Sequence, residues 1–209
     1  MAVIHNSVQR VSYYVDGFNL YHGLKEHSKA RKFRWLNLRS FAEGQLQPNH
    51  VLERVIYFTS IPPWSSSKAE RHERYIAALE SVDVEVVRGR FQRDEAICLG
   101  ACKQLFYRYT EKLTDVHIAT TILRDGVAGK FDWAYLVSGD ADQAPTIRTL
   151  KVMAPSTNVR VLFPPRRNST ELSQVATEFT PLGYRAFKPH QFPSKMTVNG
   201  RIIEKPANW

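Results

Sequence analysis

The chain has 209 residues and a formal net charge of +9 at neutral pH, with 29 Lys and Arg against 20 Asp and Glu. An apolar share of 43% is enough to bury a sizeable core, so disorder is not the default, and no run of 18 or more apolar residues marks a membrane span. The positive excess points to a polyanionic partner, because clustered Lys and Arg concentrate phosphates at the surface; the opening segment lacks a secretory layout, so a cytoplasmic setting is the expectation.

In chain order, Val11 to Val15 reads as a buried strand that delivers Asp16, and Asn19 to Lys25 opens a helix. A second helix is expected between Leu36 and Leu46, ended by Pro48. Val51 to Thr59 is β-rich, and the Pro62-Pro63 turn follows. Ser67-x-x-Glu70 has the form of a capping box launching a helix from Lys68 to Ser81, with Tyr75, Ala78, Leu79 and Val82 inward. Val84 to Val87 is a third strand, closed by Gly89.

The segment from Arg88 to Arg108 fits neither period and reads as an excursion leading to the next helix. Arg88, Arg90, Arg93, Lys103 and Arg108 alternate there with Phe91, Phe106, Tyr107 and Tyr109. Such interleaving suits a surface that grips phosphates and stacks on unpaired bases, and equally an ordinary amphipathic face. Cys98 and Cys102 are the only cysteines. Their spacing suits thiols on one helical face better than a structural zinc site, which normally takes four ligands.

Thr114 is the expected N-cap of a helix carrying Asp115 in its first turn and Val116, Ile118, Ile122 and Leu123 behind it. Trp133 to Val137 is the fourth strand, leading through Ser138-Gly139-Asp140-Ala141-Asp142 to a helix from Thr146 to Met153 in which Pro145 is tolerated at the first turn. Asn158 to Phe163 is the fifth strand, Thr170 to Thr177 a short helix, and Gly183 to Phe187 a candidate last strand. The alternation predicts a three-layer α/β/α domain over residues 1–187 with a central, mostly parallel sheet of about five strands. Residues 188–209 read as a basic, proline-containing tail, extended or loosely packed.

The chemistry lies in the acids. Asp16 and Asp140 each follow a buried strand, and in a parallel sheet both leave the same carboxyl edge. If their strands flank the point where strand order reverses, acids about 120 residues apart share one crevice. Asp115 and Asp142 can join them from adjacent elements, forming an oxygen-only set suited to a hard cation such as magnesium. Taken singly, Asp16 and Asp140 are also ordinary turn and cap residues. Dinucleotide, P-loop and serine-hydrolase readings lack their glycine-rich motifs in this chain.

Three pieces together, Tyr14-Val15-Asp16-Gly17-Phe18-Asn19-Leu20-Tyr21, Glu111-Lys112-Leu113-Thr114-Asp115-Val116 and Leu136-Val137-Ser138-Gly139-Asp140-Ala141-Asp142, resemble the NYN domain family of PIN-like nucleases. The resemblance implies a PIN-like fold, Mg2+ or Mn2+ at an acidic crevice, and cleavage of RNA. By that match Asp16, Asp115, Asp140 and Asp142 are metal-site acids, Asn19 orients the site and Ser138 supports the Asp140 loop. Arg88, Arg90, Arg93, Arg166 and Arg167 are candidates for holding the RNA backbone. The Arg166-Arg167 pair reads either as part of the site's edge or as a solvated loop.

Two positions depart from the family pattern. Thr121 stands where many relatives carry a further acid, and Gln143 where they carry an apolar residue. Asp125, one turn beyond Thr121, is a weak substitute because its helical face is offset from that of Asp115. The leading expectation is a metal-dependent ribonuclease. Its rivals are a non-catalytic RNA-binding or scaffold module on the same fold and a small-molecule phosphohydrolase, and association into a homo-oligomer is left open.

Overall fold

The structure, a computed structural model, describes residues 7–207 and 209. Strand β1 (Gln9–Asp16) is buried from Val11 onward on both faces, as a strand covered by helices above and below must be. The next four elements are α1 (Gly17–Glu26), α2 (Leu38–Gly44), β2 (His50–Thr59) and α3 (Ser66–Glu80). β3 (Val84–Arg88) follows, then a hairpin of β4 (Arg90–Ile97) and β5 (Leu105–Lys112), and α4 (Thr114–Val127). The remainder comprises β6 (Trp133–Val137), α5 (Ala144–Met153), β7 (Asn158–Phe163), α6 (Thr170–Val175) and β8 (Glu178–Pro181), closed by β9 (Lys195–Val198) and β10 (Arg201–Glu204).

The main sheet is wholly parallel and has six strands in the order β3-β2-β1-β6-β7-β8. Strand order therefore reverses between β1 and β6, which pair from Val11 with Trp133 to Val15 with Val137. One face carries Val11, Tyr13 and Val15 against Leu20, Leu24, Phe41 and Leu79 of α1, α2 and α3. The other carries Tyr14, Ile56 and Leu136 against Ile118, Ile122, Ile147 and Leu172 of α4, α5 and α6. These are the three expected layers. Among the described residues no helix is long and apolar enough to cross a membrane.

Several local expectations are corrected. The sixth strand is Glu178–Pro181, not Gly183–Phe187; it alternates half-buried and exposed residues at a sheet edge and so carries no apolar run. Tyr184–Phe187 is a 3-10 turn that stacks Phe187 on Phe41 at 5.3 Å. The excursion after Gly89 is an antiparallel hairpin that leads into α4, and Cys98 and Cys102 lie near its tip as free thiols, not on a helical face. Helix α3 begins one residue before the expected capping box, and the Ser65 hydroxyl meets that of Ser67 instead of a backbone amide.

Thr114 is the first residue of α4 and not its cap. Leu113 takes the capping position with a left-handed backbone (φ 79°), and the Thr114 hydroxyl is engaged by the Glu111 carboxylate. The described part of the tail, residues 188–207 and 209, is packed, not loose. Phe192 and Ile203 are buried, Trp35 donates its indole N–H to the Pro193 carbonyl at 2.9 Å, and Trp209 lies against Tyr75.

A candidate metal centre at the switch point

Adjacent parallel strands β1 and β6 end side by side, which brings Asp16 and the Ser138–Asp142 loop to one crevice. Directly after Asp16, Gly17 lies so close to β2 that an added Cβ would stand 2.5 Å from the Phe58 carbonyl oxygen. Only glycine permits α1 to start there. Asp16 caps α1 by accepting the Asn19 N–H at 2.9 Å, and Asp140 caps the 3-10 turn Ala141–Gln143 by accepting the Asp142 N–H at 3.1 Å. The two acids are thus cap residues as well as crevice residues.

Side chains from both loops clasp the crevice. Ser138 donates its hydroxyl to Asp16 Oδ2 at 2.8 Å and accepts the Asp140 N–H at 3.1 Å. Asn19 accepts the Gly139 N–H at 2.8 Å, tying the start of α1 to the loop after β6. Gly139 also permits the Arg167 backbone to approach, where a Cβ would meet it at 2.7 Å. The loop carrying Arg166 and Arg167 therefore borders the site.

One oxygen from each of Asp16, Asp115 and Asp140 lies within 4.8 Å of the others. Asp16 is buried, Asp140 half-buried and Asp115 exposed. Among the described residues no Lys or Arg forms an ion pair with any of the three. Burial pushes the Asp16 carboxyl up to about 7; hydrogen bonds from Asn19 and Ser138 oppose that shift, and the charges of Asp115 and Asp140 add to it. Asp115 is raised by burial and by Asp140 and Asp142, with Gln143 pulling the other way. Three carboxylates this close, without a cationic neighbour, have the donor chemistry of a hard-cation site.

The other expected residues are dispersed. Asp142 is exposed and outside the trio, acting on Asp115 through its charge. Arg88 is held by Glu73 at 2.8 and 3.0 Å, and Arg93 lies over the Tyr107 ring at 3.5 Å. Arg90 is exposed at the base of the hairpin, Arg166 is exposed with a left-handed backbone, and Arg167 pairs with Glu26. Thr121 is buried on α4. Asp125 is far from playing a substitute acid: it is fully buried among Arg54, Arg124, Lys130 and Tyr14.

Two residues beside the centre are not apparent as site residues from sequence. The buried Gln143 carboxamide lies 3.4 Å from both the carboxylate and the backbone carbonyl of Asp115, and its oxygen accepts from Thr146 at 3.2 Å. The signal for it in the sequence is a polar side chain directly after the Asp140-Ala141-Asp142 run. Glu111, at the end of β5, accepts from Ser60 at 2.9 Å and from Thr114; burial raises its carboxyl, and Asp115 adds to the rise. Its signal was the spacing Glu111-x-x-Thr114, legible only once the hairpin is seen to return to α4.

A parallel α/β domain with converging acids at its switch point defines the PIN-like class. The NYN domain model matches residues 10–183, and the chain belongs to the NYN domain family within the PIN-like nuclease superfamily. A curated relative, 6-hydroxy-3-succinoylpyridine 3-monooxygenase HspA of Pseudomonas putida, is 24% identical over 188 residues; the match covers 73% of this chain and the chain spans 58% of the relative. That name describes the relative. The crystal structure of a Vibrio parahaemolyticus protein of unknown function superposes with a TM-score of 0.58 at 17% identity, covering 88% of this chain and 97% of that one, and so shares the fold.

Proposed function

We propose that this protein is a ribonuclease that requires a divalent cation, Mg2+ or Mn2+, at Asp16, Asp115 and Asp140. The observation that carries the reading is the meeting of these three carboxylates, from three separate elements, with no basic side chain among the described residues paired to them. A cation bound there supplies charge stabilisation to a phosphodiester and lowers the pKa of water for attack on phosphorus.

The chain's own residues account for the rest. Ser138 and Asn19 hold the Asp16 and Asp140 loops in register, so that the carboxylates are placed before substrate arrives. Gln143 fixes the orientation of Asp115, and Asp142 adds negative charge beside it. With its oxygen committed to Gly139, Asn19 presents its amide hydrogens to orient water. Arg90, Arg93 and Arg166, on the hairpin and the β7 loop, supply cationic contacts for the RNA backbone.

The test is incubation of labelled single-stranded and structured RNA with purified protein, with and without magnesium or manganese. Metal-dependent cleavage that falls about a thousandfold in Asp140→Asn is the expected result, the loss of several kcal/mol of charge stabilisation. A second reading, a binding module that turns nothing over, is favoured by the neutral Thr121 where relatives carry an acid. Tight RNA binding without turnover under any metal would establish it.

A further inference from the structure

We infer that the cavity beside the acidic crevice is a subsite for one unstacked nucleotide, with Trp64 as its stacking platform and Lys68 and Arg71 as its phosphate contacts. The inference rests on the ribonuclease reading for its connection to cleavage, but the cavity has its own chemistry. It encloses about 330 Å³ between α1, α3 and the start of β4, within the range of small-ligand sites. It begins at Gly17, next to Asp16, and reaches Ser60, which holds Glu111. The cavity and the metal centre therefore share a border.

Its walls sort by chemistry. Trp64, although 43% exposed, is ordered by ring contacts to Phe91 and Tyr109, each at 4.7 Å, and Phe91 in turn meets Phe18 at 5.7 Å. This is an exposed aromatic platform at the cavity rim, of the kind on which an unpaired base stacks. Lys68 and Arg71 stand on the same α3 stripe as Tyr75, and neither forms an ion pair with a described acid. No Asp or Glu lines the cavity. A ring on the platform with its phosphate at the α3 cations fits this division, and the neighbouring phosphodiester then faces the carboxylates. A base within a duplex is stacked on both sides and cannot enter.

Binding of AMP, UMP, adenosine and ribose 5-phosphate to the full chain in EDTA, followed by tryptophan fluorescence and calorimetry, tests the site without catalysis. Both nucleotides should bind about tenfold more tightly than ribose 5-phosphate, and Trp64→Ala should weaken them by about tenfold. The double change Lys68→Ala/Arg71→Ala, on the surface of α3, should weaken AMP while leaving adenosine unchanged. Equal binding of AMP and ribose 5-phosphate, or nucleotide binding indifferent to both variants, overturns the proposal. RNA cleavage without nucleotide binding leaves the ribonuclease standing and removes the subsite. Nucleotide binding with these dependences, but no cleavage under any metal, leaves the subsite standing and removes the ribonuclease.

Discussion

Asp115 and Asp125 lie on the same helix, about 15 Å apart along its axis, and their surroundings are opposite. Asp125 is fully buried, yet Arg54 and Arg124 meet it at 3.0 and 2.9 Å, Lys130 at 3.4 Å, and the Tyr14 hydroxyl donates to it at 3.2 Å. Asp115 faces Asp16 and Asp140, with an amide from Gln143 and, among the described residues, no Lys or Arg paired to it. Where the fold provides the counter-charge, the acid pins layers together; where it withholds it, the proposed reading assigns the acids to a cation from solution. On the proposed reading, counter-charge separates a structural from a metal-binding carboxylate more clearly than burial does, since Asp16 and Asp125 are both buried.

The comparison can be broken in three ways. The largest effect is expected at Asp125→Ala, which strands Arg54 at the sheet and should cost about 3 kcal/mol in urea unfolding; cleavage per folded molecule should be unchanged. A stability within error of wild type would show that the buried cluster is not structural. Next is Gln143→Leu, which removes the amide and releases Asp115. Calorimetric titration should show Mn2+ affinity about tenfold weaker with little change in Tm. Unchanged affinity would remove Gln143 from the centre.

The smallest effect is a pH dependence. Folded Asp16 keeps its proton up to about 7, whereas the unfolded chain releases it near the ordinary value of 3.8. Between these values the folded state binds more protons, so the cation-free protein loses stability from this group as pH rises. Asp16→Asn should therefore raise unfolding free energy at pH 8 in EDTA by on the order of 1 kcal/mol, and the advantage should vanish at pH 4. Added Mg2+ should stabilise wild type and not the variant. An advantage that persists at pH 4 would mean that the effect comes from packing.

Legibility followed the physics of each element. β1 and β6 are apolar runs buried on both faces, and their downstream acids are conspicuous for that reason; the helices α1 to α5 announce themselves by periodic apolar stripes. The hairpin was opaque because most of its residues are exposed, so neither face carries a burial signal. β8 is hidden in the sequence for the same reason, and the packing of the tail is hidden because its few anchors, Phe192, Ile203 and Trp209, lie among Lys and Pro.

Composition and local pattern alone determined the layered α/β class, the buried strands and the acids at their ends, because burial and cap chemistry act over a few neighbouring residues. Which acids meet was decided only by the tertiary structure. The β1–β6 pairing joins Asp16 to Asp140, the return of the hairpin to α4 sets Asp115 beside them, and the turn of the same helix carries Asp125 away to three basic partners. Charge interactions depend on distance through space, which the order of residues along the chain does not specify.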